Sequence, residues 1–141
     1  MKQFFLDGAP VPFEDGDTLM AAATRAGHQV PHLCWHPQLA PSGACRLCTV
    51  QVDGRMTAAC TTRASEGLEV HNHTPELTAL RRQLTQMLFV EGNHYCPGCE
   101  KSGNCELQST AYALGMADMR HDLLMPQRPV DASHPDLWLD H

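Results

Sequence analysis

Residues 34–60, CWHPQLAPSGACRLCTVQVDGRMTAAC, decide the fold. They set Cys34, Cys45, Cys48 and Cys60 in the pattern C-x10-C-x2-C-x11-C. Cys45 and Cys48 flank a tight loop, where two thiolates chelate one metal centre. Cys60 ends a hairpin signal: Thr49 to Val52, the turn Asp53-Gly54, then Arg55 to Ala59. A two-stranded return therefore brings Cys60 back toward the loop. Pro31, Pro37, Pro41 and Gly43 keep residues 31–48 irregular. The small residues Ser42-Gly43-Ala44 let backbone N–H groups approach bridging sulfides, which stabilises the charge added on reduction. Four thiolates from an irregular loop and a strand end suit a [2Fe–2S] centre.

Upstream, Lys2 to Leu6 reads as a strand, Asp7-Gly8 as a turn, and Ala9 to Phe13 as the returning strand. Pro10 and Pro12 confine that strand to a sheet edge. Asp15-Gly16-Asp17 supplies a turn and an N-cap for a helix over 18–27, with Leu19, Ala22, Ala23 and Ala26 on one stripe and Gly27 as its stop. Leu68 to His71 reads as a further strand. Residues 1–73 thus form an α+β unit of four or five short strands crossed by one helix.

Downstream, Thr74 is an N-cap and Pro75 takes the first helical position, where its missing N–H costs nothing. Leu77, Leu80, Leu84, Met87 and Leu88 give a core stripe that runs to about Val90, with Gly92-Asn93 as the end. Arg81 and Arg82 read as part of the solvated face. A second constellation follows: His94, Cys96, Cys99 and Cys105, or H-x-C-x2-C-x5-C, with Gly98 and Gly103 at its bends. Three thiolates and an imidazole complete a [4Fe–4S] cluster, and the neutral imidazole raises its potential. Glu106 to Met116 is a helix with Leu107, Ala111 and Leu114 in register. Residues 74–117 form a small helical unit. Residues 118–141 read as an irregular acidic tail, where Leu137, Trp138 and Leu139 offer either a docking anchor or an ordinary core contact.

Composition excludes several classes. The apolar run Met87–Val90 is far short of the ~20 residues of a membrane helix. The N-terminus has too short an apolar core for a signal peptide, and no twin-arginine signal occurs. The net charge of −6, with no basic cluster beyond Arg81-Arg82, argues against a nucleic-acid footprint. A cytoplasmic location is the expectation, and an odd count of 7 cysteines there is no disulfide framework. Either set of four also has the chemistry of a zinc site. Cys48 and Cys96 stand too far apart for one zinc ribbon, so zinc requires two independent sites. A zinc-stapled interaction module without redox chemistry is the alternative function class. His32 and His36 flank Cys34 as substitute ligands, and Trp35 and Leu47 either shield the centre or simply pack. His28, His71, His73, His121, His134 and His141 read as surface. No G-x-G-x-x-G follows a strand and no P-loop occurs, so nucleotide binding lies elsewhere.

At this point the chain is familiar. Residues 89–108, FVEGNHYCPGCEKSGNCELQ, closely resemble the small diaphorase subunit of NAD-reducing [NiFe] hydrogenases. The Cys34–Cys60 pattern resembles the plant-type-like ferredoxin domain that opens the large iron–sulfur subunit of respiratory complex I. The relay domains of [FeFe] hydrogenases and of NAD-linked formate dehydrogenases are similar, but less so. The resemblance spans nearly the whole chain. It implies a β-grasp [2Fe–2S] domain with Cys34, Cys45, Cys48 and Cys60 as ligands. A helical His/Cys3 [4Fe–4S] domain with His94, Cys96, Cys99 and Cys105 then follows. It further implies a non-catalytic electron relay between a flavin/NAD(H)-binding diaphorase subunit and a hydrogenase small subunit, or the relay portion of a formate dehydrogenase. A single residue, Tyr95, separates His94 from Cys96, the short form of hydrogenase relay subunits rather than the three-residue gap of complex I. Those hydrogenase subunits usually continue into a bacterial-ferredoxin-like domain, so a truncated form or a shorter relay is expected.

Anaerobic reconstitution with iron and sulfide counting should yield about six irons per chain and two reduced EPR signals. Bound zinc without visible absorbance would reject the iron–sulfur reading.

Overall fold

In the computed structural model, the described residues are 2–139 apart from 93, 117, 123, 125, 126 and 128. Strand β1 (Gln3–Leu6) pairs antiparallel with β2 (Ala9–Pro12), and β3 (Thr49–Val52) pairs antiparallel with β4 (Arg55–Ala58). Both hairpins turn on two residues with positive φ: Asp7 and Gly8 at 50° and 84°, Asp53 and Gly54 at 47° and 79°. This is the geometry whose twist matches the flanking strands, and it explains both Asp-Gly pairs. Strand β5 (Glu69–His71) joins the hairpins, parallel to β1 and antiparallel to β3. The sheet order is β2-β1-β5-β3-β4. The strand with Pro10 and Pro12 is indeed an edge.

Helix α1 (Leu19–Arg25) buries Leu19, Met20, Ala22 and Ala23 against the sheet. Phe4, Leu6, Val11, Val50 and Val70 meet it from the strands, and Cys48 and Cys60 belong to the same core. The cap differs from expectation. Thr18, not Asp17, accepts the Ala21 N–H at 3.2 Å. Asp17 instead accepts the Glu14 N–H at 2.7 Å and pairs with Arg25.

Helix α2 (Pro75–Glu91) starts on the Thr74 cap as expected, but its buried face is rotated. Leu77, Arg81, Thr85, Gln86 and Phe89 are buried, whereas Met87 is 62% exposed. The solvated face assigned to Arg81 is therefore corrected: that side chain is 2% exposed. Its reading failed because a charged residue counts as polar in any periodicity, while here backbone carbonyls supply its partners. Arg82 remains largely on the outside, donating to the Leu114 carbonyl. Gly92 caps α2, and Asn93 lies outside the described residues.

A 3-10 turn (Cys96–Gly98) leads to α3 (Glu106–Ala113), which packs on α2. It ends before Met116 because Gly115, at φ 66°, lets the Met116 N–H bond back to the Ala111 carbonyl. The tail is also corrected. Strands β6 (Asp131–His134) and β7 (Leu137–Leu139) form an irregular hairpin within it. All seven of their residues are exposed, so neither face is buried and no alternation marks the strands in the sequence. A core role for Leu137, Trp138 and Leu139 is thereby excluded. His71, His73, His121 and His134 are exposed and His28 is half-buried, while His141 lies outside the described residues.

The rotated face makes a direct prediction. Leu77→Ala should cost about 2–5 kcal/mol of unfolding free energy, and Met87→Ala should stay within about 0.5 kcal/mol. Chemical denaturation of both variants checks it.

Candidate metal centres

The first centre is assembled by the β3–β4 hairpin and the long loop before it. Thr49 pairs with Ala58, and one step further the Ala59 N–H donates to the Cys48 carbonyl at 3.0 Å. That register brings Cys60 beside Cys48, both 1% exposed. Helix α1 holds this corner: the Met20 N–H donates to the Ala59 carbonyl at 3.0 Å and the Leu19 N–H to the Thr62 carbonyl at 2.9 Å. The loop supplies Cys34, which is exposed, and Cys45, which is half-buried. The Cys45 N–H donates to the Cys34 sulfur at 3.4 Å, so loop backbone does point at sulfur.

Two backbone features shape this loop. Arg46 adopts φ 58°, unusual for a side-chain-bearing residue. Its carbonyl accepts both the Thr49 N–H and the Thr49 hydroxyl, at 3.1 and 2.6 Å, which stabilises the bend between Cys45 and Cys48. Gly43 adopts φ 66°, and a Cβ there would lie 3.2 Å from Thr61 Cγ2. The loop thus passes close over the strand end that carries Cys60.

The thiols divide by environment. Burial would push Cys34 up, but the Cys45 N–H, the Ser42 hydroxyl and neighbouring groups outweigh it and hold the thiol at about 7. Burial and the nearby Cys60 sulfur push Cys48 up to about 11. Iron binds thiolates, so a metal held by Cys48 would have to supply the free energy that ionises this buried thiol. Leu47 is fully buried next to Cys48, and Trp35 is half-buried against the core. His32 is otherwise engaged: its ring meets Trp35 edge-on at 5.3 Å and its Nδ1 bonds the Val30 carbonyl. His36 accepts the Gln38 N–H at 3.2 Å.

The second centre lies between the end of α2 and the start of α3. His94, Cys96, Cys99 and Cys105 line one small cavity together with Phe89 and Gln108. The 3-10 turn sets Cys96 and Cys99 on one bend, the Cys99 N–H donating to the Cys96 carbonyl at 3.2 Å. Cys105 occupies the N-cap of α3. His94 packs edge-on against Phe89, with ring centroids 5.7 Å apart. Among the described residues no three Cys, His, Asp or Glu side chains converge on a point for one metal ion.

Two residues at this centre escaped the sequence reading. Gln108 is buried, accepts the Gly103 N–H at 2.7 Å and donates to the Ser102 hydroxyl at 3.3 Å, fixing the loop before Cys105. The available signal was a glutamine three residues after the helix cap, a position that commonly reaches back to loop N–H groups. Gly92 is the other. A Cβ on it would lie 2.3 Å from His94 Nε2, so the ring occupies the space its missing side chain leaves.

Comparison with known proteins identifies both regions of the chain. The model of the 2Fe-2S iron-sulfur cluster binding domain matches residues 1–75. That of the NADH-ubiquinone oxidoreductase-G iron-sulfur binding region matches residues 81–120. The two models give both cluster types, and the zinc alternative falls. The chain is 42% identical over 138 residues to the gamma subunit of the NAD-reducing hydrogenase HoxS of Cupriavidus necator, covering 98% of this chain and 59% of the relative. It is 30% identical over 137 residues to the alpha subunit of the NADPH-Fe(3+) oxidoreductase of Geobacter sulfurreducens, covering 96% of this chain and 16% of the relative. A crystal structure of an NAD+-reducing [NiFe]-hydrogenase in the H2-reduced state superposes with a TM-score of 0.91 at 53% identity, covering 99% of this chain and 59% of that one. The chain therefore spans about three fifths or less of the length of these relatives.

Gly92→Ala should drive the His94 ring out of its place against Phe89. The EPR signal of the [4Fe–4S] cluster should change while that of the [2Fe–2S] cluster keeps its shape.

Proposed function

This chain belongs to the family of 2Fe-2S iron-sulfur cluster binding domains, and from that premise we propose that it is a one-electron relay between a flavin/NAD(H)-binding diaphorase subunit and the small subunit of a hydrogenase. One observation carries the reading. An open pocket is lined by Cys34 and Cys45 of the first set and by His94 of the second, together with Leu33, Leu88 and Leu107. Two redox sites facing one partly apolar space are what a relay requires.

In this reading residues 1–73 hold a [2Fe–2S] cluster through Cys34, Cys45, Cys48 and Cys60. Residues 74–117 hold a [4Fe–4S] cluster through His94, Cys96, Cys99 and Cys105. The clusters supply one-electron chemistry, and a plant-type [2Fe–2S] centre works near about −400 mV. The chain's own residues fix the ligands, exclude water through Leu47 and Trp35, and dock. The exposed Leu137, Trp138 and Leu139 support docking of the tail on a partner subunit. Among the described residues no helix is long and apolar enough to cross a membrane. We place the assembly in the cytoplasm.

The complex, purified anaerobically from its source, tests the proposal. Flavin and nickel should co-purify, and NADH should reduce both clusters in this chain. Molybdenum in place of nickel would assign the relay to a formate dehydrogenase instead, and clusters inert to NADH would overturn the relay. His94→Ala should alter the [4Fe–4S] signal alone; an unmoved spectrum removes His94 from the ligand set.

A further inference from the structure

Arg81 is a cation of α2 that is 2% exposed. Its guanidinium donates to neutral oxygens: Nε to the Leu47 carbonyl at 3.1 Å and Nη1 to the Asn72 carbonyl at 2.8 Å. Nη2 donates to the Thr49 carbonyl at 2.8 Å and to Asn72 Oδ1 at 2.7 Å. The ion pairs among the described residues join Lys2 to Asp15, Arg25 to Asp17 and His73 to Asp7, and none includes Arg81. A buried cation lacking a direct carboxylate partner is costly unless another anion lies close. Leu47 and Thr49 are the residues on either side of Cys48, which is itself buried. Burial weakens the hold of the guanidinium on its proton. Asp7 stands one step removed, accepting the Asn72 N–H at 2.8 Å.

We propose that Arg81 is the charge partner of the [2Fe–2S] site, a positioning residue that clamps both sides of Cys48 and a fixed positive charge that raises the midpoint potential of that cluster. The inference rests on the reading of Cys48 as a ligand. Reduction adds one electron and so one negative charge to the site. A cation held close by in a poorly polarisable interior stabilises the reduced form more than the oxidised one. Because Arg81 belongs to α2, the helix that leads to the second centre also sets the potential of the first.

An EPR-monitored redox titration of the full chain in its complex reads both midpoints. In Arg81→Gln, the ratio of reduced to oxidised [2Fe–2S] at a fixed potential should fall at least about tenfold, a shift of about 59 mV for a one-electron couple. The [4Fe–4S] midpoint should hold. Arg81→Lys retains the charge without the fork and should recover most of the shift. Arg82→Gln removes an equal charge from the outer face of the same helix and should leave the ratio nearly unchanged. Where the glutamine variant assembles no cluster, Asn72→Asp decides, because it keeps an acceptor on Nη2 while neutralising the cation. It should produce the same fall. A [2Fe–2S] midpoint unmoved in Arg81→Gln, or in Asn72→Asp where that variant is needed, overturns the proposal. Equal shifts in the lysine and glutamine variants also overturn it, since geometry rather than charge would then set the potential. Absence of any [2Fe–2S] signal in the unaltered protein overturns instead the reading of the cluster site.

Discussion

The Arg81 guanidinium ties the segment around Cys48 and the connector at Asn72 to α2. It binds the loop residue Leu47, the strand residue Thr49 and the connector residue Asn72 from a position on α2. Burying such a charge carries a penalty of several kcal/mol before its bonds are counted. Five N–H donors in a rigid plane allow four good acceptors to offset much of that penalty at once. The helix cannot rotate on the sheet without breaking several of these bonds together. That constraint fixes which face of α2 is buried, and through it where the α2–α3 corner carries His94, Cys96, Cys99 and Cys105.

Asn72 extends the same network. Its backbone N–H and that of His73 donate to Asp7 in the first hairpin turn, and its side-chain amide donates to the Gln29 carbonyl at 3.1 Å. The residues at the junction of the two units are therefore bonded to the first turn and to the segment that follows α1. The first unit has a modest core of short strands and one seven-residue helix. A domain of this size is marginal on hydrophobic burial alone. In the proposed reading two of its cluster ligands, Cys48 and Cys60, lie inside that core, which couples cluster binding to folding of the unit.

The metal chemistry was legible because it is written in spacing. Cys45 and Cys48 share one loop, and the Asp-Gly turn that returns Cys60 is a local signal with a local cause. The N-terminal hairpin and its proline-bearing edge strand were legible for the same reason. The buried face of α2 was not, because hydrophobic periodicity ranks Arg81 and Thr85 as solvent-facing and Met87 as core. The burial of Arg81 depends on carbonyl groups contributed by residues more than thirty positions away. Gly92 read as a helix stop, whereas its missing side chain also makes room for the His94 ring. The terminal hairpin left no trace of alternation because neither of its faces is buried.

By itself, then, the sequence determined the spacing that divides seven cysteines and His94 into two groups, and the local turns that present them. Ligand chemistry and turn conformation depend on residue type and short-range spacing, both of which are read along the chain. The tertiary structure alone decided that the two sets face a common pocket and that a buried arginine stands beside one of them. Such facts depend on which distant backbone carbonyls come to surround a side chain, and no short-range pattern encodes that.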